Sequence, residues 1–203
     1  RRPVGSQHLR DESQGIWEVV RRRDHREQGT LRWSVVKDAL WLHAPVSPAT
    51  GRRGGRLWLL VVPLVAAVAV KELLPKLPMP ATRDMGLFLE STAGQEFFSG
   101  NWPWFALTLV MMVFNTVLGE ELLFRGLLLP RMQGVFGRRD WVANGVLFGL
   151  YHLHIPWAIP VTLLETFIVA YPARRYRSAL IGIAVHSTQT VVFGALLLVL
   201  VLR

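Results

Sequence analysis

Seven ionisable side chains sit inside or against long apolar stretches. Glu120, Glu121 and Arg125 interrupt an apolar run that starts near residue 97. His152 and His154 lie within the uncharged stretch 141–164, Glu165 follows it, and His186 lies within 178–202. A charge in hydrocarbon costs several kcal/mol, so an ionisable group there is a functional candidate by default. Pairing between helices is the ordinary alternative for each of them. One carboxylate and two imidazoles in a partly dry cavity suit hydrolysis. Glu120 beside His152 can activate a water as general base. His186 with Thr190, or with the neighbouring Gln189, can donate hydrogen bonds to a developing oxyanion. The same Glu120, His152 and His186 would also suit a divalent metal such as zinc, although the HExxH spacing of the common metalloproteases is missing. The chain has no cysteine, which excludes a disulfide scaffold, a thiolate zinc site and a cysteine nucleophile.

Spacing within each helix assigns faces. Glu121 and Arg125 are four residues apart and can pair on one face. Glu120 is rotated about 100° from Glu121 in an α-helix, so it can face a cavity while Glu121 holds Arg125. Phe148 and His152 are four apart, which lets a phenyl ring fix the imidazole rotamer. His154 is two residues from His152, points to a nearly opposite side and reads as structural. Glu165 suits a cavity wall or an interface equally. Asn115 and Asn144 read as side chains that join helices by hydrogen bonds.

The elements that must position these groups follow from composition. Apolar residues make up 51% of the 203 residues and charged residues 18%, with a formal net charge of +9 and a mean hydropathy of +0.31. Such a chain is not disordered. A helix needs roughly 20 apolar residues to cross the hydrocarbon. Residues 97–119, 141–164 and 178–202 reach that length, 57–74 does so when tilted, and 161–172 reads as a partial span after the bend at Pro156 and Pro160. The expected fold is therefore all-α, a polytopic transmembrane helical bundle with a polar cavity open to the cytoplasm. Trp58, Trp102, Trp104, Trp141 and Trp157 fall near span ends, as interfacial anchors do.

Charge gives the orientation. Residues 1–56 hold 12 Lys+Arg against 6 Asp+Glu, and they read as a basic segment: a helix over about 13–42 with Arg21–Arg23 on its polar side, then a Pro/Gly/Arg linker over 43–56. Residues 57–203 read as the transmembrane domain. Loop 130–140 carries Arg131, Arg138 and Arg139. Loop 172–178 carries Arg174, Arg175 and Arg177. Loop 75–102, with Lys76, Arg83, Asp84, Glu90 and Glu96, is slightly acidic. The positive-inside rule puts the basic segments in the cytoplasm and 75–102 and 156–160 outside. The implied setting is a multi-pass protein of the cell membrane, with lipid and a peptide substrate as partners and no nucleic acid. Measured from span ends at Leu129, Trp141 and Ala179, Glu120 lies about 14 Å deep, His152 about 16 Å and His186 about 10 Å. Three helices thus deliver an ionisable group to nearly one depth.

These residues resemble the CPBP family of intramembrane proteases, the group that holds the CAAX prenyl endopeptidases and the bacterial abortive-infection membrane proteins. The motif EExxxR stands as Glu120, Glu121 and Arg125, FxxxH as Phe148 and His152, and the last histidine as His186 with Thr190 four residues on. Over about 100–200 the order and spacing of the motifs match. The resemblance implies a conical cavity, water activated by Glu120 and His152, an oxyanion site at His186 and Thr190, and support from Glu121 and Arg125. Thr190 departs from the commoner Asn. It implies a glutamate-type endopeptidase acting on membrane-associated substrates, CAAX-type prenylated peptides among them, that requires no cofactor, with zinc dependence as the open alternative. Family members carry about eight spans and this chain begins at Arg1, so a bacterial protein shortened at its N-terminus is expected. The rival reading is a transporter or a scaffold such as a bacteriocin-immunity protein, built around the same polar cavity.

Overall fold

The computed structural model describes residues 32–75 and 77–203. Most of the basic helix expected over 13–42, including Arg21–Arg23, lies outside the described residues, as does Lys76. The chain divides into two units, Arg1–Val36 and Lys37–Arg203. Only the second is described below, apart from the short helix α1 (Trp33–Ala39).

The described residues are helical and contain no strand. A turn of 3₁₀-helix, Gly55–Leu60, leads into α2 (Val61–Glu72). Two short helices follow, α3 (Met85–Glu90) and α4 (Thr92–Phe98). Asp84 and Ser91 start them by accepting from the N–H groups of Leu87 and Gly94, which satisfies otherwise orphaned donors. Helix α5 runs from Trp102 to Met132 and α8 from Ala179 to Val201, and both are long and apolar enough to cross a membrane. Between them stand α6 (Asp140–Tyr151) and α7, whose α-helical parts Ile159–Glu165 and Tyr171–Tyr176 flank a π-helical turn at Thr166–Ala170.

The uncharged stretch 141–164 is not one span. Helix α6 stops at Tyr151, two 3₁₀ turns (His152–His154 and Pro156–Ala158) carry the chain round, and α7 begins at Ile159. Pro156 and Pro160 lack the N–H that would continue a helix and instead open the next ones. Two glycines let α6 and α7 lie close. A Cβ at Gly145 would fall 1.8 Å from Thr166 Oγ1, and one at Gly149 would fall 2.8 Å from Leu163 Cδ2.

Helix α8 is the spine of the packing, with three buried clusters along it. Ala179 meets Trp41, Leu129 and Ala173. Ile181 and Val185 meet Val68 of α2 and Val169 of α7. Leu197 and Val201 meet Phe98 of α4. Elsewhere the apolar residues face outward: Leu107, Val110, Met111, Phe114 and Leu118 on α5, and Val191, Val192, Leu196 and Val199 on α8, are exposed. Glu121, Arg125 and Asp140 are fully buried. Apolar outside and charged inside is the arrangement that a bilayer favours.

Residues 41–54 dock on the junction of α7 and α8. Ala179 N–H donates to the Trp41 carbonyl and Val46 N–H to that of Tyr176. Ser178 Oγ donates to the His43 carbonyl. The basic loops lie at this same end. Asp140 accepts from the N–H groups of Gly134 and Phe136 in one loop and pairs with Arg174 at 3.2 Å near the other. The opposite end gathers the chain around Gly100, whose N–H donates to the Val201 carbonyl, and Arg83, which donates to the carbonyl of His154.

Candidate functional site

The first element of the site is an irregularity in α5. Over Phe114–Leu128 this helix is π-helical, with bonds from i to i+5 and a wider turn than an α-helix. Residues five apart would stand about 140° apart on an α-helix, but in the π turn they stack. Asn115 Nδ2 therefore reaches back along its own helix and donates to Glu120 Oε1 at 2.7 Å. The expectation that Asn115 joins two helices is corrected by this bond. Asn144 does join helices, donating from α6 to the Phe124 carbonyl of α5 at 2.9 Å.

The wide turn also carries both carboxylates to one imidazole. His186 of α8 has Nδ1 at 3.0 Å from Glu121 Oε1 and Nε2 at 3.4 Å from Glu120 Oε2. The expected division of labour, Glu120 toward the cavity and Glu121 on Arg125, is thus incomplete, because Glu121 serves His186 as well. A carboxylate only accepts, so the Nδ1 facing Glu121 carries a proton. Gly182 makes the approach possible: a Cβ there would fall 2.2 Å from Glu121 Oε2.

Arg125 lies beneath. Its Nη1 is 3.1 Å from Glu121 Oε1. This is a contact of charges rather than an aligned hydrogen bond, since none of the three guanidinium nitrogens finds a hydrogen-bond partner among the described residues. The guanidinium carbon stands 4.1 Å from the centroid of the Phe148 ring, within range of a cation–π attraction.

Phe148 is the hub that relates the two histidines. Its ring packs edge-on against His152 at 4.8 Å and His186 at 6.4 Å between centroids, and against Phe124 at 5.0 Å. His152 Nδ1 lies 2.8 Å from the Phe148 carbonyl. A carbonyl cannot donate, so Nδ1 carries the proton and Nε2 is left as the basic nitrogen. His154 does not turn away as an α-helix would require. The chain is in a 3₁₀ turn there, and the two imidazoles stack at 5.9 Å with 23° between their planes.

Thr190 is turned into the wall of the site, where its Oγ1 shares a hydrogen bond with Thr116 Oγ1 of α5 at 3.1 Å. Gln189 donates to Glu72 Oε1 of α2 at 3.0 Å. Glu165 is buried and its Oε1 pairs with Lys71 of α2, which also lies 3.1 Å from Glu72. Lys71 follows the uncharged run 57–70, and only its contact with Glu165 reveals a buried partner. Among the described residues no three His, Asp or Glu side chains converge to hold a metal ion. What the groups can do together is accept a proton at Glu120 or His152 Nε2.

Residues 102–199 match the family model described as type II CAAX prenyl endopeptidase Rce1-like. No curated protein and no solved structure matches the chain.

Proposed function

Because residues 102–199 of this chain match the model of the Rce1-like family of type II CAAX prenyl endopeptidases, we propose that the protein hydrolyses peptide bonds of membrane-associated substrates with a water activated by Glu120 and His152. The observation that carries this reading is the buried centre itself. Two carboxylates from one apolar helix grip the two nitrogens of one imidazole from another.

Glu120 is the general base in this reading. It is the carboxylate without a guanidinium against it, whereas Glu121 is tied to Arg125. The water oxygen adds to the scissile carbonyl carbon and its proton passes to Glu120 or His152 Nε2. His186 stabilises the oxygen that becomes negative, and Glu121 with Arg125 keeps its ring in register. The C–N bond then breaks, and the held proton goes to the leaving amine. No step runs through a metal ion.

The test is cleavage of a fluorogenic peptide with a farnesylated CAAX tail by the purified protein in detergent. Glu120→Gln and His152→Ala lose cleavage by at least about a thousandfold, an effect of about 4 kcal/mol, while each keeps its melting temperature within a few degrees. Undiminished cleavage in either variant overturns the mechanism. Cleavage that persists after dialysis against a strong chelator agrees with the metal-free route, and loss restored by added zinc overturns it.

The proposed orientation places the end that gathers Asp140, Arg174 and residues 41–54 in the cytoplasm of a cell membrane, as its basic loops favour. The chain has no cysteine, so a single Arg138→Cys or Glu96→Cys substitution can be labelled without interference. A membrane-impermeant maleimide applied outside intact cells is expected to label position 96 and not 138, and the reverse pattern overturns the orientation.

A further inference from the structure

Asn115 is a polar side chain in a poor place for one. It sits on a helix long and apolar enough to span a membrane, between the exposed Phe114 and Thr116, and it is itself exposed. An amide left bare in hydrocarbon is unfavourable, because nothing there replaces its hydrogen bonds to water. Its surroundings account for it. The side-chain nitrogen donates to Glu120 Oε1. The side-chain oxygen stands 3.5 Å from where a Cβ of Gly119 would be, and the Tyr151 hydroxyl stands 3.9 Å from the same point. Gly119 thus leaves a notch of bare backbone flanked by an amide and a phenol, next in sequence to the buried Glu120.

Two further facts give the amide a role. Position 190 offers a hydroxyl, and that hydroxyl is engaged with Thr116. The second nearby amide, Gln189, is engaged with Glu72. Glu120, in turn, has its other oxygen 3.4 Å from His186 Nε2, which is long for a hydrogen bond. Among the described residues the 2.7 Å bond from Asn115 is therefore the one short bond on the Glu120 carboxylate, and it exists because the π turn aligns residues five apart.

We propose that Asn115 is a positioning residue for the general base: its amide fixes the rotamer of Glu120 and aims the carboxylate's remaining lone pairs at the water in the notch by Gly119. The proposal rests on the assignment of Glu120 as the base. Asn115 does not touch the substrate, so its loss falls on the chemical step.

The experiment uses the full chain and the same farnesylated CAAX peptide. A hydrogen bond to a charged group supports an effect of about ten- to a hundredfold. Asn115→Ala is expected to lower kcat by that factor and to leave KM within twofold. Asn115→Asp keeps the shape but removes the donor, and it is expected to fall at least as far and to displace the acid limb of the kcat–pH profile. Asn115→Gln, which keeps a donor, is expected to recover part of the loss; it also stands in should Asn115→Ala fail to fold. Asn115→Ala at wild-type kcat, or with its loss confined to KM, overturns the proposal provided that Glu120→Gln is inactive. If Glu120→Gln is itself active, the assignment of the base has failed instead.

Discussion

Two groups of charge with buried members lie between the same apolar helices and are built on different plans. In one, Lys71 of α2 lies between Glu165 of α7 and its own neighbour Glu72, and Glu72 accepts from Gln189 of α8. Each charge there meets an opposite charge or a donor, and the group closes on itself. In the other, Glu120 and Glu121 crowd one imidazole, and Arg125 sits below without an aligned hydrogen bond. Glu121 Oε2 is buried with no hydrogen-bond partner among the described residues. The first plan spends its charges on holding three helices together. The second leaves proton-accepting capacity unspent, as a reaction centre requires and a structural pair does not.

The comparison can be broken by asking which group fails in stability and which in activity. The largest effect is that of Glu120→Gln, about a thousandfold or more in cleavage with little change in melting. The next is Lys71→Met. Removing one partner strands Glu165 in a dry site, at a cost of about 3–5 kcal/mol, read as a fall in melting temperature in detergent. The double variant Lys71→Met with Glu165→Leu is expected to regain most of that stability, because a buried pair replaced by apolar side chains is often neutral. A double variant as unstable as the single one would show that the pair does more than satisfy itself.

A smaller effect sharpens the contrast along α8. Gly182→Ala places a methyl against Glu121 Oε2, where the carboxylate is pinned by His186 and Arg125. It is expected to cost about 1–3 kcal/mol as overpacking and to lower kcat at least tenfold. Gly194→Ala meets only the end of the Leu109 side chain, at 2.7 Å, which can swing away. Cleavage by that variant is expected to stay within twofold of wild type. Equal losses of activity at the two glycines would remove the distinction between reactive and structural contacts.

Much of the fold was legible in the sequence. Uncharged runs of spanning length, with basic residues confined to alternate connections, read as membrane helices because hydrocarbon tolerates little else. The pair Glu121 and Arg125 was legible from its spacing, and the Phe148 ring against His152 likewise. What could not be read was any feature that departs from α-helical geometry. The bend in 141–164 was legible at Pro156 and Pro160, but not the end of α6 at Tyr151, because hydropathy does not register where apolar residues leave a helix. His154 was sent to the wrong side because a 3₁₀ turn advances differently from an α-turn. Asn115 was given to a neighbouring helix because nothing in its sequence context marks the π turn.

By itself the sequence determined the apolar medium, the helical class and the set of candidate groups. Those follow from solvation: apolar runs seek lipid, and the few charges within them must find one another. The tertiary structure alone decided which of them meet. The π-helical stretch of α5 set the angle between Glu120 and Glu121, Gly182 let α8 come close enough for His186 to touch both, and the docking of α2 paired Lys71 with Glu165. These are matters of a few degrees of helical twist and a few ångströms of approach. They are fixed by packing between segments distant in the chain, which no local pattern of residues encodes.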